Sequence, residues 1–179
     1  MLVHFGSFIE RLRDFDENQR RMGGHVRRGI AAILILLSCC GFAWTKDLAL
    51  ISNKSNSVQP MTLPELAKIG KGQVDRWPDG KPVSFITRDP TLPDMKLLLE
   101  KVYGMPKEEV KALIANANHG RTNHPAIVVV DSDEEAVKQV ESMPGAVGVV
   151  DVYSISGGVT VVKVGGKLPL EPGYPLHGN

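Results

Sequence analysis

The sequence predicts an α/β sandwich, with helices on both faces of a mainly parallel central sheet, and three observations carry that prediction. Apolar runs of strand length recur at residues 48–51 (LALI), 126–130 (AIVVV) and 146–150 (AVGVV), unbroken by the polar alternation of a half-wet sheet. Between them lie segments whose apolar residues have helical spacing. Two of those segments open on a hydroxyl residue followed three positions later by glutamate, Thr62 with Glu65 and Ser132 with Glu135, which is the signature of a capped helix start. Strands that alternate with helices imply crossover connections and hence parallel pairing.

Length and composition bound the function. The chain has 179 residues, 21 basic against 20 acidic, a formal net charge of +1 and 42% hydrophobic residues, which describes one globular domain after removal of any leader. Six of the basic residues precede Trp44, and the remainder balances the acidic residues to within one charge, so there is no basic, aromatic-laced stripe of the kind nucleic acid requires. The two cysteines, Cys39 and Cys40, are neighbours in an apolar run and cannot staple a fold.

Residues 1–21 mix Phe5, Phe8, Ile9 and Leu12 with charged residues and are read as an over-extended gene model, with Met22 as the true start. Residues 22–43 have the order of a secretory signal: Arg27 and Arg28, then an apolar run of about 14 residues, then a small-residue end at Gly41 and Ala43. That run is shorter than the roughly 20 residues a membrane-spanning helix needs. Export with cleavage after Ala43 is therefore expected, giving a periplasmic product. Two readings compete with it, a lipoprotein tethered through Cys39 in the lipobox-like stretch LLSC and a retained single-pass anchor.

From residue 47 the elements follow in order. LALI is a strand buried on both faces, 53–59 is a polar turn, and the helix capped by Thr62 carries Leu63, Leu66, Ala67 and Ile69 inward, ending at Gly70 and Gly72. The turn-rich loop 74–80 holds Trp77, expected to plug the core. Val83, Phe85 and Thr87 alternate with Ser84 and Ile86 in a further strand. A helix after Pro106 buries Val110, Leu113 and Ile114, and the helix capped by Ser132 buries Ala136, Val137, Val140 and Met143 until Pro144 and Gly145 stop it. Residues 159–164 form a last strand, and 165–179, rich in Pro and Gly without apolar period, are expected to be a mobile tail.

The stretch with chemistry is KPVSFITRDPTLPDMKLLLEKVY at 81–103. Arg88 stands where a strand ends, and a short loop then enters a helix. Unpaired N–H groups at a helix start, the positive end of its dipole and a guanidinium fork can face one oxyanion together. The competing reading is an ordinary ion-paired surface arginine. In open α/β sheets ligands sit beyond the carboxyl ends of the strands, which is where Arg88 falls.

The order LALISNKSN, TLPELAKIGKGQVDRWPDGKPVSFITRD and DSDEEAVKQVESMPGAVGVVDV resembles the phosphate substrate-binding proteins of ABC uptake systems, and more closely their short, stand-alone relatives. The resemblance covers residues 47–164 and rests on the G-x-x-x-x-W loop from Gly72 to Trp77, on Arg88 after its strand and on PGAVGVV. It implies a three-layer α/β/α single lobe of the periplasmic-binding-protein type, with Arg88 and the Thr91 hydroxyl as anion-binding residues. Its functional implication is an exported solute-binding-like protein that recognises phosphate or a related oxyanion beside an ABC permease. The sequence departs from the family at Thr91, Leu92 and Pro93, where a small Gly/Ser loop is usual: Leu92 removes a hydroxyl and Pro93 an N–H. With a leader before Asp47 there is no second lobe to close over a ligand, so weak binding is expected. The alternative is an envelope scaffold that keeps the fold without tight binding and meets another envelope protein.

Other chemistry is poorly supported. His119, Arg121, His124 and Asp131 have no established zinc spacing, so a solvated loop and no metal are expected. No nucleophile elbow or phosphate loop occurs, which predicts a non-enzyme without a cofactor.

Overall fold

The computed structural model describes residues 46–121 and 123–178. The expected leader at 22–43, the segment 1–21 and the alternative lipid site at Cys39 lie outside the described residues. Five strands, β1 (Leu48–Asn53), β2 (Ser84–Arg88), β3 (Ile127–Val130), β4 (Ala146–Asp151) and β5 (Val159–Val161), form one sheet in the order β3-β2-β4-β1-β5. β2 runs parallel to β3 and β4, whereas β1 is antiparallel to both β4 and β5. Four strands therefore share one direction and β1 alone opposes them. The expected mainly parallel sheet is present, refined by that one reversal.

Four helical segments cover the sheet. They are α1 (Leu63–Gly70), α2, α3 (Lys107–Asn118) and α4 (Asp133–Ser142); α2 is an irregular run in which a 3-10 turn (Pro93–Met95) leads through Lys96–Leu98 into a π turn (Leu99–Tyr103). Strand alternation sorts the side chains into two cores. Leu48, Leu50, Phe85, Val147 and Val149 pack beneath Leu66 and Ile69 of α1, Met95, Leu98, Val102 and Tyr103 of α2 and Val110 of α3. On the opposite face Ile51, Ile86, Ala146 and Val150 meet Ala136, Val137 and Val140 of α4. This is the three-layer α/β/α arrangement.

Local chemistry sets the element ends. Thr62 and Glu65 form a full capping box on α1, with each residue's side chain bonding the other's backbone N–H. On α4 the Ser132 hydroxyl accepts from the Glu135 N–H at 3.1 Å, while the Glu135 carboxylate accepts instead from the Asp131 N–H at 3.1 Å. Pro106 is the N-cap of α3, not its first helical residue. Gly145 holds φ +91, and a Cβ there would collide with the Pro82 carbonyl, so the turn into β4 requires glycine. At Gly148 a Cβ would stand 2.9 Å from Val140 and 3.0 Å from the Ile86 carbonyl; its absence lets α4 lie close on the sheet.

Three expectations are revised. The tail is not a mobile appendage: Tyr174 and Leu176 are buried, the Leu48 N–H donates to the Leu176 carbonyl, and the Gly178 N–H donates to Asp47 Oδ1. Burial pushes the Tyr174 phenol up to about 12. Two apolar anchors, each worth roughly 1.5–3 kcal/mol on burial, tie down a segment that has no periodicity because it is a strap and not a helix or strand. Residues 159–164 form only a three-residue strand, after which Val164 pairs with Met61 and Lys167. Val129 is 44% exposed because β3 lies at the sheet edge.

Candidate functional site

β2 delivers Arg88 as its last residue, opposite Val130 of β3, at the end of the sheet where β4 finishes and β1 begins. The guanidinium is largely buried and meets carboxylates. Arg88 Nη1 donates to Asp94 Oδ2 at 2.5 Å and lies 3.7 Å from Asp133 Oδ2. Lys46, just before β1, places its Nζ 3.2 Å from Asp133, 3.4 Å from Asp94 and 3.8 Å from Asp151. Two cations and three carboxylates thus converge from five segments of the chain.

The members differ in how firmly they are fixed. Asp133 opens α4, is nearly buried, and its second oxygen accepts from the Asp151 N–H at 3.3 Å. Asp151 caps the turn after β4 by accepting from the Tyr153 N–H at 2.9 Å. Asp94 belongs to the short turn that opens α2, which has no side-chain cap, and its side chain is 34% exposed. Burial works against the charges of Lys46, Arg88 and Asp94, but their pairing prevails. The Asp94 carboxyl is held below the usual range by Arg88 and Lys46, and Lys46 is raised above its ordinary value because Asp133 outweighs the burial penalty. Arg88 is likewise raised, chiefly by Asp94. Its Nε–H is buried with no hydrogen-bond partner among the described residues.

Thr91 is placed differently. Its N–H and hydroxyl both donate to Asp89 Oδ1, at 2.9 and 2.7 Å, in a local turn. Those bonds pull the Asp89 carboxyl down against the upward effect of burial. The structure therefore pairs Arg88 with Asp94 and Thr91 with Asp89. At the start of α2, Pro93 has no N–H to offer, and the Leu92 and Met95 N–H groups are bonded to the Asp89 and Leu92 carbonyls. The loop of His119 and His124 lies at the other end of the sheet, where Arg121 is ion-paired with Asp75 beside Arg76 and Pro82.

Sequence reasoning reached Arg88 and did not single out Lys46, Asp94, Asp133 or Asp151 for the site. The signal for Asp94 was available, since it is six residues from Arg88 at the same loop. Lys46 and Asp133 are 87 residues apart, and nothing local connects them.

No protein-family model matches the sequence, and no curated protein matches it. Solved structures do. An ABC-type phosphate transport receptor from Vibrio cholerae aligns with a TM-score of 0.53 at 21% identity, over 69% of this chain and 48% of its own. A proposed phosphate ABC transporter substrate-binding protein with bound phosphate from Clostridium perfringens aligns at 0.53 and 22%, over 68% and 46%. A phosphate-binding protein from Stenotrophomonas maltophilia aligns at 0.51 and 16%, over 69% and 40%. At these identities the likeness establishes the fold, the α/β lobe that these proteins contain, as the sequence resemblance implied. The chain spans less than half the length of each of these proteins. Among the described residues no helix is long and apolar enough to cross a membrane.

Proposed function

We propose that this chain is an exported solute-binding-like protein, not an enzyme, that takes phosphate or a related oxyanion weakly at the Arg88 end, in association with an ABC uptake system. The observation that carries the reading is Arg88 itself. It is a largely buried guanidinium at the carboxyl end of a central strand, with a donor left unpartnered among the described residues, in the fold of proteins described as phosphate receptors. A guanidinium fork suits a tetrahedral oxyanion because two parallel N–H bonds can meet two oxygens. The environment also sets the strength. Three carboxylates already surround the two cations, and Thr91 is engaged by Asp89. A dissociation constant on the order of millimolar follows, about −4 kcal/mol.

The second reading, an envelope scaffold without a ligand, draws on one specific observation: the pairing of Arg88 with Asp94 at 2.5 Å gives the arginine a partner inside the fold. Calorimetry with inorganic phosphate on the exported protein separates the two. Millimolar binding that Arg88→Ala abolishes, Arg88→Lys weakens and Arg121→Ala leaves unchanged supports the oxyanion reading. Absence of heat at tens of millimolar phosphate supports the scaffold. Export is tested by mass spectrometry of the mature N-terminus, expected at Trp44; a lipidated Cys39 overturns cleavage at that site.

A further inference from the structure

Of the three carboxylates at the Arg88 end, Asp94 holds a distinct position. Asp133 and Asp151 each have a second attachment, to the Asp151 and Tyr153 N–H groups, and both lie deeper than Asp94. The hydrogen bond of the Asp94 carboxylate is to Arg88, its other close contact is Lys46 at 3.4 Å, and it rides on an uncapped three-residue turn beside exposed Leu92. Its Oδ2 lies between a guanidinium and an ammonium, as one oxygen of a bound oxyanion would.

We propose that Asp94 is a tethered stand-in for the ligand: it bridges Arg88 and Lys46 in the free protein, and an external oxyanion binds by displacing it, with Lys46 as the second cation of the site. This rests on the oxyanion reading above and adds a regulating contact and a binding residue to it. The exchange replaces one anion by another on the same donors. Asp133 and Asp151 stay in place and hold the cations from behind, while the Glu134 charge acts on both. With Asp94 displaced the two cations are balanced by Asp133 and Asp151, and exposed Glu134 adds one negative charge nearby, so attraction comes from two close donors and not from a long-range field, which confines binding to small anions that fit between them. A competitor attached to the same chain lowers the apparent affinity by the fraction of time it occupies the site; if the site is open a tenth of the time, binding is weakened about tenfold.

The test is titration of inorganic phosphate into the exported protein at fixed ionic strength, for the parent chain, Asp94→Asn, Asp94→Ser and the pair Asp94→Asn with Lys46→Met. Binding about tenfold tighter in both single variants, and reversed by Lys46→Met, is the expected result. Binding in the parent that depends on Arg88 but is unchanged or weaker in both Asp94 variants overturns the stand-in role and leaves the oxyanion reading intact. No binding in the parent or in either variant overturns both. A cooperative melt for each variant accompanies the titration; loss of that melt in both Asn and Ser identifies Asp94 as a structural tie and overturns the proposal.

Discussion

The two ends of the sheet are closed by different chemistry. At the Arg88 end the tie is ionic, with Lys46 and Arg88 set among Asp94, Asp133 and Asp151. At the opposite end the ion pairs, Arg121 with Asp75 and Lys81 with Asp79, are partly exposed, and the strand and helix ends are tied by neutral amides. Asn56 donates to the Ala146 carbonyl at 2.9 Å and accepts from the Gly145 N–H at 2.7 Å, and Asn53 donates to the last carbonyls of α4, Val140 at 2.9 Å and Glu141 at 2.7 Å. Trp77 closes the same corner, packing on the core edge and donating from Nε1 to the Gly145 carbonyl at 2.8 Å. Neutral amides satisfy backbone groups irrespective of salt or moderate pH. Charges can be exchanged for other charges. A protein that needs a responsive end and a fixed end would be built this way, and the difference can be tested by mutation.

The largest loss is expected at the ionic end. Arg88→Ala leaves the nearly buried Asp133 with Lys46 as its one remaining cation, and removing one partner of such a cluster should cost about 3–4 kcal/mol, read as a lower denaturant midpoint. Trp77→Ala should cost about 3 kcal/mol, the low end for a large aromatic because the ring is only half-buried. Asn56→Ala strands a donor and an acceptor in the Gly145 turn and should cost about 2 kcal/mol. In 1 M salt, where the Debye length is about 3 Å, the Arg88 deficit should shrink while the Trp77 and Asn56 deficits stay constant. Equal salt dependence at both ends would break the comparison.

A smaller effect follows from pH. Asp94 and Asp89 near Arg88 have carboxyls held below their ordinary values, Asp94 by Arg88 and Lys46 against burial and Asp89 by Thr91 against burial. A group with a depressed folded value contributes stability that is complete above its unfolded value near 4 and is lost as pH falls through the folded value. The melting temperature should therefore drop as pH falls below about 4. Asp94→Asn should remove roughly 1 kcal/mol of that acid sensitivity, a modest amount because the side chain is partly solvated. Thermal melts of the two chains across that range decide it.

What could be read from sequence was local. The two Thr and Ser caps, the buried runs of β1 and β4 and the position of Arg88 each depend on residues a few places apart, and the structure has all of them. The reversed direction of β1 was not legible, because a strand buried on both faces has the same apolar pattern whichever way it runs. The strap at 165–178 was hidden for a related reason: Tyr174 and Leu176 are isolated apolar residues among Pro and Gly, and only their contact with the far side of the core makes them anchors. Of the site, the strand-end arginine was visible, but apart from Asp94 the other members come from the approach to β1, from α4 and from β4, brought together by the sheet order and not by any motif.

The account stands on the Arg88 end being the place where a small oxyanion exchanges with the protein's own charge. Phosphate titrated into the isotope-labelled exported protein at constant ionic strength, followed by amide NMR, tests this most directly. Saturating shifts at millimolar phosphate, concentrated at Lys46, at residues 88–97 and at the start of α4, with residues 52–56 and 144–147 silent, are the predicted result. No shift through tens of millimolar, or shifts of equal size at both ends of the sheet, would contradict it.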